Sequence, residues 1–512
     1  MRWIDLAVIL VYLAGITWFG ARFGRSQRTL RDYFLGGRII PWWAIALSVV
    51  SAETSTLTVI GTPALSFQGN FGFLQMVFGY LLARIVIVTL FLPAYFRGEM
   101  YTAYELMRVR FGDRIRRLTA VTFLVLRALA EGVRVFAISI VISVILGSGE
   151  TVSILVIVCL TLFYTYEGGL AAVIWTDVVQ MSLYVAGAVL SLALLLREIP
   201  GGWGHVAAVA APLGKLQIFD FRLAPPGEFF TRTYSFWAGI IGGCFLTTAS
   251  HGTEQLMVQR LLAARGRCQS QAALLASWVV IFIQFTLFLA IGTCLFVLYR
   301  ERGAQPPAVM DRLYPLYIWQ NLPPGVAGLV MAAILAAAMS NLSAALNALA
   351  STTVLDLWRP LAGGDAARSK RARQCLAPTS APASTGMGND MDNDMRNDAR
   401  WLRLSRYATV VWGVVLFGVA LLARQWGSVL EAGLTIASIV YGSLLGVFLL
   451  GLLTRRVGEI AAMSGMCVGL ALMLYVRFAT PIAFTWYVVI GTGATFLTGM
   501  LASLFVREAP RD

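Results

Sequence analysis

Between Pro41 and Gly69 the chain carries a segment of membrane length whose middle is chemically out of place. PWWAIALSVV gives way to SAETSTLT (Ser51 to Thr58) before an apolar run resumes as VIGTPALSF. A carboxylate, Glu53, sits there among hydroxyls. An acid near the bilayer centre costs about 2.5–3.5 kcal/mol on insertion scales, so it reads by default as a functional group. Small polar residues with Gly61 and Pro63 just beyond are what an interrupted helix needs, because its freed carbonyls then face an ion instead of lipid. The chemistry this predicts is oxygen ligation of a small cation in mid-membrane, which points to a transporter rather than an anchor.

A second set of oxygens lies in MAAILAAAMSNLSAALNALASTT. On a helix, Ser340, Ser343, Asn347 and Ser351 share one face by the three-and-four spacing. Such small-residue faces serve helix packing, and they also supply hydroxyl and amide ligands. Oxygen-only donors suit a hard cation such as sodium, and no His or Cys cluster competes for a soft metal. Asp177 adds a third membrane-embedded oxygen group. At about 1.5 Å per residue, Ser51 and Thr54 lie roughly 15–20 Å from the inner surface, Asp177 roughly 10 Å in, and Ser340 roughly 20–25 Å down from the outer one. These depths differ by only a turn or two of helix, so the three elements can meet.

Weaker candidates surround them. Arg127, Glu131 and Arg134 fall in one apolar run; Glu131 and Arg134, one turn apart, either neutralise each other or leave Arg134 to hold a substrate carboxylate through its planar fork. His251 and Gln255 border a second Gly- and Thr-rich stretch, FWAGIIGGCFLTTASHGTEQ (236–255), and either line a solute cavity or are solvated. Glu53 and Ser55 are further cavity candidates. Trp42 and Trp43 read as interface anchors, and Gln259 and Arg260 as a cytoplasmic rim. The absence of GxxxxGK[ST] argues against an ATP-driven pump.

The elements that must position these groups follow from hydropathy. Of 512 residues, 58% are hydrophobic and 13% charged, the balance of an all-α polytopic membrane protein and of no soluble domain. Apolar segments near 4–21, 41–66, 72–95, 118–147, 152–166, 170–196, 233–250, 272–299, 323–357, 404–423, 428–452, 457–477 and 482–506 make about thirteen candidate spans. The net charge of +14 does not signal nucleic acid. Its arginines gather in alternate loops (21–32, 97–117, 259–267, 359–403, 454–459), which by the positive-inside rule puts the N-terminus outside and the C-terminus in the cytoplasm. The run IDLAVILVYLAGITWFGA reads as a retained span rather than a cleaved signal, since its basic cluster follows it. Cys159, Cys244, Cys268, Cys294, Cys375 and Cys467 show no metal-ligand spacing and read as reduced.

The chain divides into an extra N-terminal helix (1–21), a first five-helix unit (41–196), an outer loop with a short covering helix (197–232), a second five-helix unit (233–452) and two C-terminal helices (457–506). An odd number of spans per unit makes the second enter from the opposite side, as inverted repeats require. Residues 362–399 are low-complexity and read as disordered.

The motifs DYFLGGR (32–38), PWW (41–43), SAETS (51–55), GGLAAVIWTDVVQ (168–180), GTEQLMVQRLLA (252–263), AAAMSNLSAALN (336–347) and YGSLLGVFLLG (441–451) resemble the sodium/solute symporter family, in order and over about 1–480. The resemblance implies two inverted five-helix repeats with broken first and sixth core helices, and alternating access coupled to sodium. Carried over residue by residue, it implies a sodium site from Ser51, Thr54, Ala337, Ser340 and Asn341. Asn stands at that last position where the family usually has Ser or Thr. It also implies a second sodium site in some members, matched here by Asp177, Ser340 and Ser343, although Ala344 lacks the hydroxyl. The implied cargo is sodium with a small organic solute, in a bacterial-type inner membrane, with lipid but no nucleic acid or obligate protein as partner, and no enzymatic step. Two rivals stay open: proton coupling through Glu53 and Asp177 in the same fold, and a transporter-like membrane sensor.

Overall fold

Long apolar runs free of strand-type alternation fold as helices, because only a helix satisfies its own backbone inside hydrocarbon. A computed structural model describes residues 2–24, 39–96, 106–107, 110–164, 170–223, 225–358 and 387–506. Among these the chain is helical, with a single isolated bridge between Ile40 and Ala264. The helices are α1 (Trp3–Gly24), α2 (Trp42–Glu53), α3 (Thr56–Gln68), α4 (Phe71–Tyr95), α5 (Asp113–Leu146), α6 (Glu150–Tyr164), α7 (Leu170–Glu198), α8 (Gly202–Ala210), α9 (Gly243–Thr253), α10 (Gln255–Leu262), α11 (Arg267–Glu301), α12 (Leu313–Asn321), α13 (Val326–Ser351), α14 (Met387–Ala423), α15 (Val429–Leu453), α16 (Glu459–Ala479) and α17 (Tyr487–Phe505).

Among the described residues nine helices are long and apolar enough to cross a membrane, and the bent pair α2–α3 makes ten. The sequence predicts about thirteen. Two of the remainder are shorter apolar stretches, Trp3–Phe19 and Glu150–Leu162. The third is cut at Glu254 into helices of 11 and 8 residues, each too short to span alone. The 197–232 loop contains a short helix, α8. Residues 387–399, expected to be disordered, form the start of α14: once a buried turn has nucleated a helix, adding residues beyond it costs little. The rest of the 362–399 loop and most of the DYFLGGR motif lie outside the described residues.

The two halves of the first interrupted span share one main neighbour, and the first half has a second. Helix α2 packs on α7 and α11, and α3 packs on α11. Gly292 of α11 permits that last contact, since a Cβ there would come within 2.1 Å of both the Pro63 carbonyl oxygen and Ser66 Oγ. The 197–232 loop caps α3 at its C-terminus: Lys215 Nζ donates to the carbonyls of Phe67 (2.7 Å) and Gly69 (3.2 Å), placing a cation where the helix dipole is negative. Partial burial lowers the Lys215 pKa.

Helix α13, which carries Ser340, is fixed by α1. Asp5 is fully buried, and its Oδ1 accepts from the backbone N–H groups of Gly325 and Gly328, both at 2.7 Å. Arg2 neutralises the same carboxylate at 3.0 Å. The acid in the N-terminal run therefore caps the helix N-terminus of a remote element. Asp5→Ala would leave two buried donors without a partner, each costing about 1–3 kcal/mol. The purified variant should show a clearly lowered apparent melting temperature, with Asp5→Asn, which keeps an acceptor oxygen, between it and the native protein.

Candidate functional site

The interruption between α2 and α3 falls at Thr54 and Ser55, where the axis bends by 64°. Its hydrogen bonding explains what it frees. The N–H of Ser55, which in a continuous helix would close onto the carbonyl of Ser51, donates instead to the carbonyl of Glu53 at 3.2 Å. The Ser51 carbonyl thereby loses its ordinary helical donor. Ser51 and Thr54 are both buried. Thr54 Oγ1 donates to Gln284 Oε1 of α11 at 3.2 Å, and the buried Tyr184 hydroxyl of α7 sits beside Ser51, Thr54 and Gln284.

The second interruption is the extended residue Glu254 (φ −82°, ψ 129°) between α9 and α10. It falls at the end of the Gly- and Thr-rich stretch expected to hold it. A π-helical turn, Ala238–Gly242, precedes α9, and Gly79 of α4 lies against it, since a Cβ there would meet the Ile240 carbonyl at 2.6 Å.

Charged groups gather at both interruptions, and each is paired. Glu53 Oε2 accepts from Arg84 Nη2 of α4 at 2.7 Å and lies 3.3 Å from His251 Nε2. Arg84 is fully buried and also donates to Ser277 Oγ of α11 at 3.1 Å. Arg127 of α5 bridges Glu254 (2.7 Å) and Glu131 (2.9 Å). Glu131 also binds Arg134 at 2.6 Å, and Tyr441 of α15 donates to Glu254 at 2.6 Å. Asp177 Oδ2 accepts from Ser48 of α2 at 2.7 Å and from Arg260 of α10 at 3.1 Å, while Arg260 Nε donates to Ser48 at 3.0 Å. Arg260 is buried and ion-paired. The triangle it makes ties α2 and α10 to α7.

A cavity of about 160 Å³ opens between these clusters, a size for a small solute and not a macromolecule. Glu53, Ser55, Arg134 and His251 line it, together with Arg127 and Glu254. Gln255 lies outside that lining; it follows Glu254 as the first residue of α10, and neighbours on a helix point to different sides. His251 is 3% exposed, so it is enclosed rather than solvated. Ala337, Ser340, Asn341 and Ser343 are half-buried on α13. Asp177, expected to join Ser340 and Ser343, is engaged by Arg260 and Ser48 on the other elements.

Sequence reasoning passed over Arg84, Gln284 and the bridging role of Arg127. The signal for Arg84 was present: a guanidinium within the apolar run 72–95 demands a carboxylate at similar depth, and Glu53 and Asp177 both stood without a counter-charge.

Comparison with known proteins identifies the family. The sodium:solute symporter family profile matches residues 33–377. Human sodium-coupled monocarboxylate transporter 1 is 28% identical over 485 residues, 94% of this chain and 73% of that protein. The human sodium/iodide cotransporter is 29% identical over 93% of this chain and 69% of its own length. The sodium/sialic acid symporter of Proteus mirabilis is 25% identical over 98% and 95%. Among solved structures, a substrate-bound, outward-open Na+-coupled sialic acid symporter aligns with a TM-score of 0.79 at 25% identity, covering 99% of this chain and 98% of that one. A nucleobase-cation-symport-1 family transporter shares the fold at a TM-score of 0.54 and 14% identity, over 92% and 93%. With the family profile matched over more than half its length, the chain belongs to the sodium:solute symporter family and is an integral membrane protein that performs sodium-coupled symport, not an enzyme.

Proposed function

We propose that the solute is a small organic carboxylate, taken up with one sodium ion by alternating access. The observation that carries the sodium half is the Ser51 carbonyl released at the break in α2–α3. In this reading the ion takes backbone oxygens of Ser51, Thr54 and Ala337, the Ser340 hydroxyl and the Asn341 amide oxygen, all hard donors suited to sodium. The solute half rests on Arg134. Its Nη1 is engaged by Glu131 at 2.6 Å, but at 27% exposure it is the least buried of the three guanidiniums around the cavity, which it lines, and the remaining donors of its planar fork suit a carboxylate. Two of the relatives are named for monocarboxylates and sialic acid, which supports an acidic cargo. Glu53, Ser55 and His251 complete the proposed solute wall, and Gln255 has at most an indirect part. One sodium ion carried with a monocarboxylate moves no net charge, so the sodium concentration gradient alone drives uptake, and a tenfold sodium gradient, about 1.4 kcal/mol, supports about a tenfold solute gradient.

The finer architecture belongs to the same proposal. Thirteen spans arise if α1, α6 and the pair α9–α10 each cross the bilayer, and the repeats are then 41–196 and 233–452, inverted with respect to each other. The N-terminus lies outside and the C-terminus in the cytoplasm of a bacterial-type inner membrane, contacting lipid and needing no obligate protein partner. Proton coupling through Glu53 or Asp177 is disfavoured, because each carboxylate is committed to a guanidinium.

Ser340→Ala should raise the sodium concentration for half-maximal transport several-fold at normal abundance. Asn341→Ser should keep transport, whereas Asn341→Leu should abolish it. Unchanged sodium dependence in a well-expressed Ser340→Ala protein, or equal activity of the two Asn341 variants, removes that residue from the site.

Asp177 decides the stoichiometry. Because Arg260 and Ser48 occupy it, a second sodium at Asp177 and Ser343 would have to compete with a guanidinium, and Ala344 withholds a further hydroxyl. The sodium Hill coefficient should therefore be close to one. A native coefficient well above one that falls to one in Asp177→Asn would establish the second site.

A further inference from the structure

The fixed charges around the cavity cancel. Three guanidiniums (Arg84, Arg127, Arg134) face three carboxylates (Glu53, Glu131, Glu254) in direct pairs. His251 is the group left over. Its imidazole is 3% exposed, lines the cavity, and holds Nε2 3.3 Å from Glu53 Oε2 without a hydrogen bond of normal geometry. A neutral imidazole leaves the wall balanced, and an imidazolium gives it one positive charge.

The surroundings suit both states. His251 Nδ1 lies 2.8 Å from Ser250 Oγ, which has the Thr247 carbonyl as a second partner at 3.3 Å. When the imidazole is neutral, the serine hydroxyl can donate to Nδ1. When it is charged, the hydroxyl can turn to Thr247 and accept from Nδ1–H. No heavy atom needs to move, and the carboxylate of Glu53 stands ready at Nε2.

The other elements packed on α9 add no competing charge at this point. Helix α4 contributes Arg84, already paired with Glu53, and Tyr80; α2 contributes Glu53 itself. From α15 come Tyr441, bound to Glu254, and Glu431, bound to Tyr234. From α10 comes Arg260, bound to Asp177. The π-helical turn Ile87–Phe91 has no titratable side chain. Tyr487, which opens α17, follows Thr485, and Thr485 packs on Gly242, nine residues before His251.

We infer that His251 is a proton-binding site within the solute cavity, its imidazolium held by Glu53, and that a proton and an anionic solute bind there with positive linkage. Histidine is suited to this, because imidazole changes charge between pH 5 and 8 in water. Linkage is reciprocal: if a proton favours the anion, the anion favours the proton. The solute half rests on the carboxylate reading above; the proton site does not.

The chain has only two histidines, so 13C-histidine labelling of the purified full-length protein gives two imidazole signals. His205→Gln, in the 197–232 loop, assigns them. The His251 signal should titrate between pH 5 and 9, and Glu53→Gln should lower its midpoint by at least one pH unit, a tenfold loss of proton affinity. Saturating lactate should raise the native midpoint. A His251 signal fixed in one state across the range, or a midpoint that Glu53→Gln leaves in place, overturns the proton site. If Glu53→Gln does not fold, Glu53→Asp replaces it: the shorter side chain withdraws the carboxylate from Nε2 and should also lower the midpoint, and an unmoved midpoint counts against the site equally. Lactate that binds without moving the midpoint overturns the linkage. A His251 that titrates as expected in a protein that binds no carboxylate leaves the proton site standing and removes the carboxylate reading instead.

Discussion

A peptide group without a partner in hydrocarbon costs several kcal/mol, so a helix breaks inside a membrane only where something else satisfies its backbone. Most of this structure follows from meeting that constraint twice, at Thr54–Ser55 and at Glu254. At the first break the Ser55 N–H turns to Glu53, hydroxyl and amide groups of Tyr184 and Gln284 crowd in, and Lys215 caps the far end of α3. The carbonyl of Ser51 is released without being stranded beside lipid. In the proposed reading that oxygen is offered to sodium, which ties the fold to the ion chemistry.

Charge is managed in the same spirit. Each embedded acid near the breaks is held by arginine: Glu53 by Arg84, Glu131 and Glu254 by Arg127, and Asp177 by Arg260. Breaking such a pair would strand a buried charge, at about 3–5 kcal/mol. The pairs join the broken helices to α4, α5 and α7, so they also decide which elements can move together. The Asp177–Ser48–Arg260 triangle links α2 and α10, the helices on one side of each break. Alternating access would carry this triangle as a unit, or would have to separate its members at that cost.

Much of this was legible in the sequence. The polar interval Ser51–Thr58 announced the first break because nothing else in an apolar run of that length explains a carboxylate beside hydroxyls. The Gly- and Thr-rich stretch ending at Gln255 pointed to the second. The pairings were not legible, since they join residues remote in the chain: Glu53 with His251, Arg127 with Glu254, Asp177 with Arg260. Depth estimates said only that such groups could meet, and three-dimensional packing chose the partners. Asp177 shows the difference most clearly. The family resemblance matched it with Ser340 and Ser343, whereas packing gives it a guanidinium. The helical start of α14 was hidden for another reason, because composition describes what a segment can bury and not how far a neighbouring helix propagates.

The central claim is that ion binding at the first break drives solute movement. Purified protein in sealed liposomes, loaded with potassium and diluted into sodium or into choline, tests it directly with radiolabelled small carboxylates as probes. The account predicts solute accumulation above equilibrium only with an inward sodium gradient, collapsing when the gradient is dissipated. Accumulation driven equally well by a proton gradient in the complete absence of sodium would contradict it.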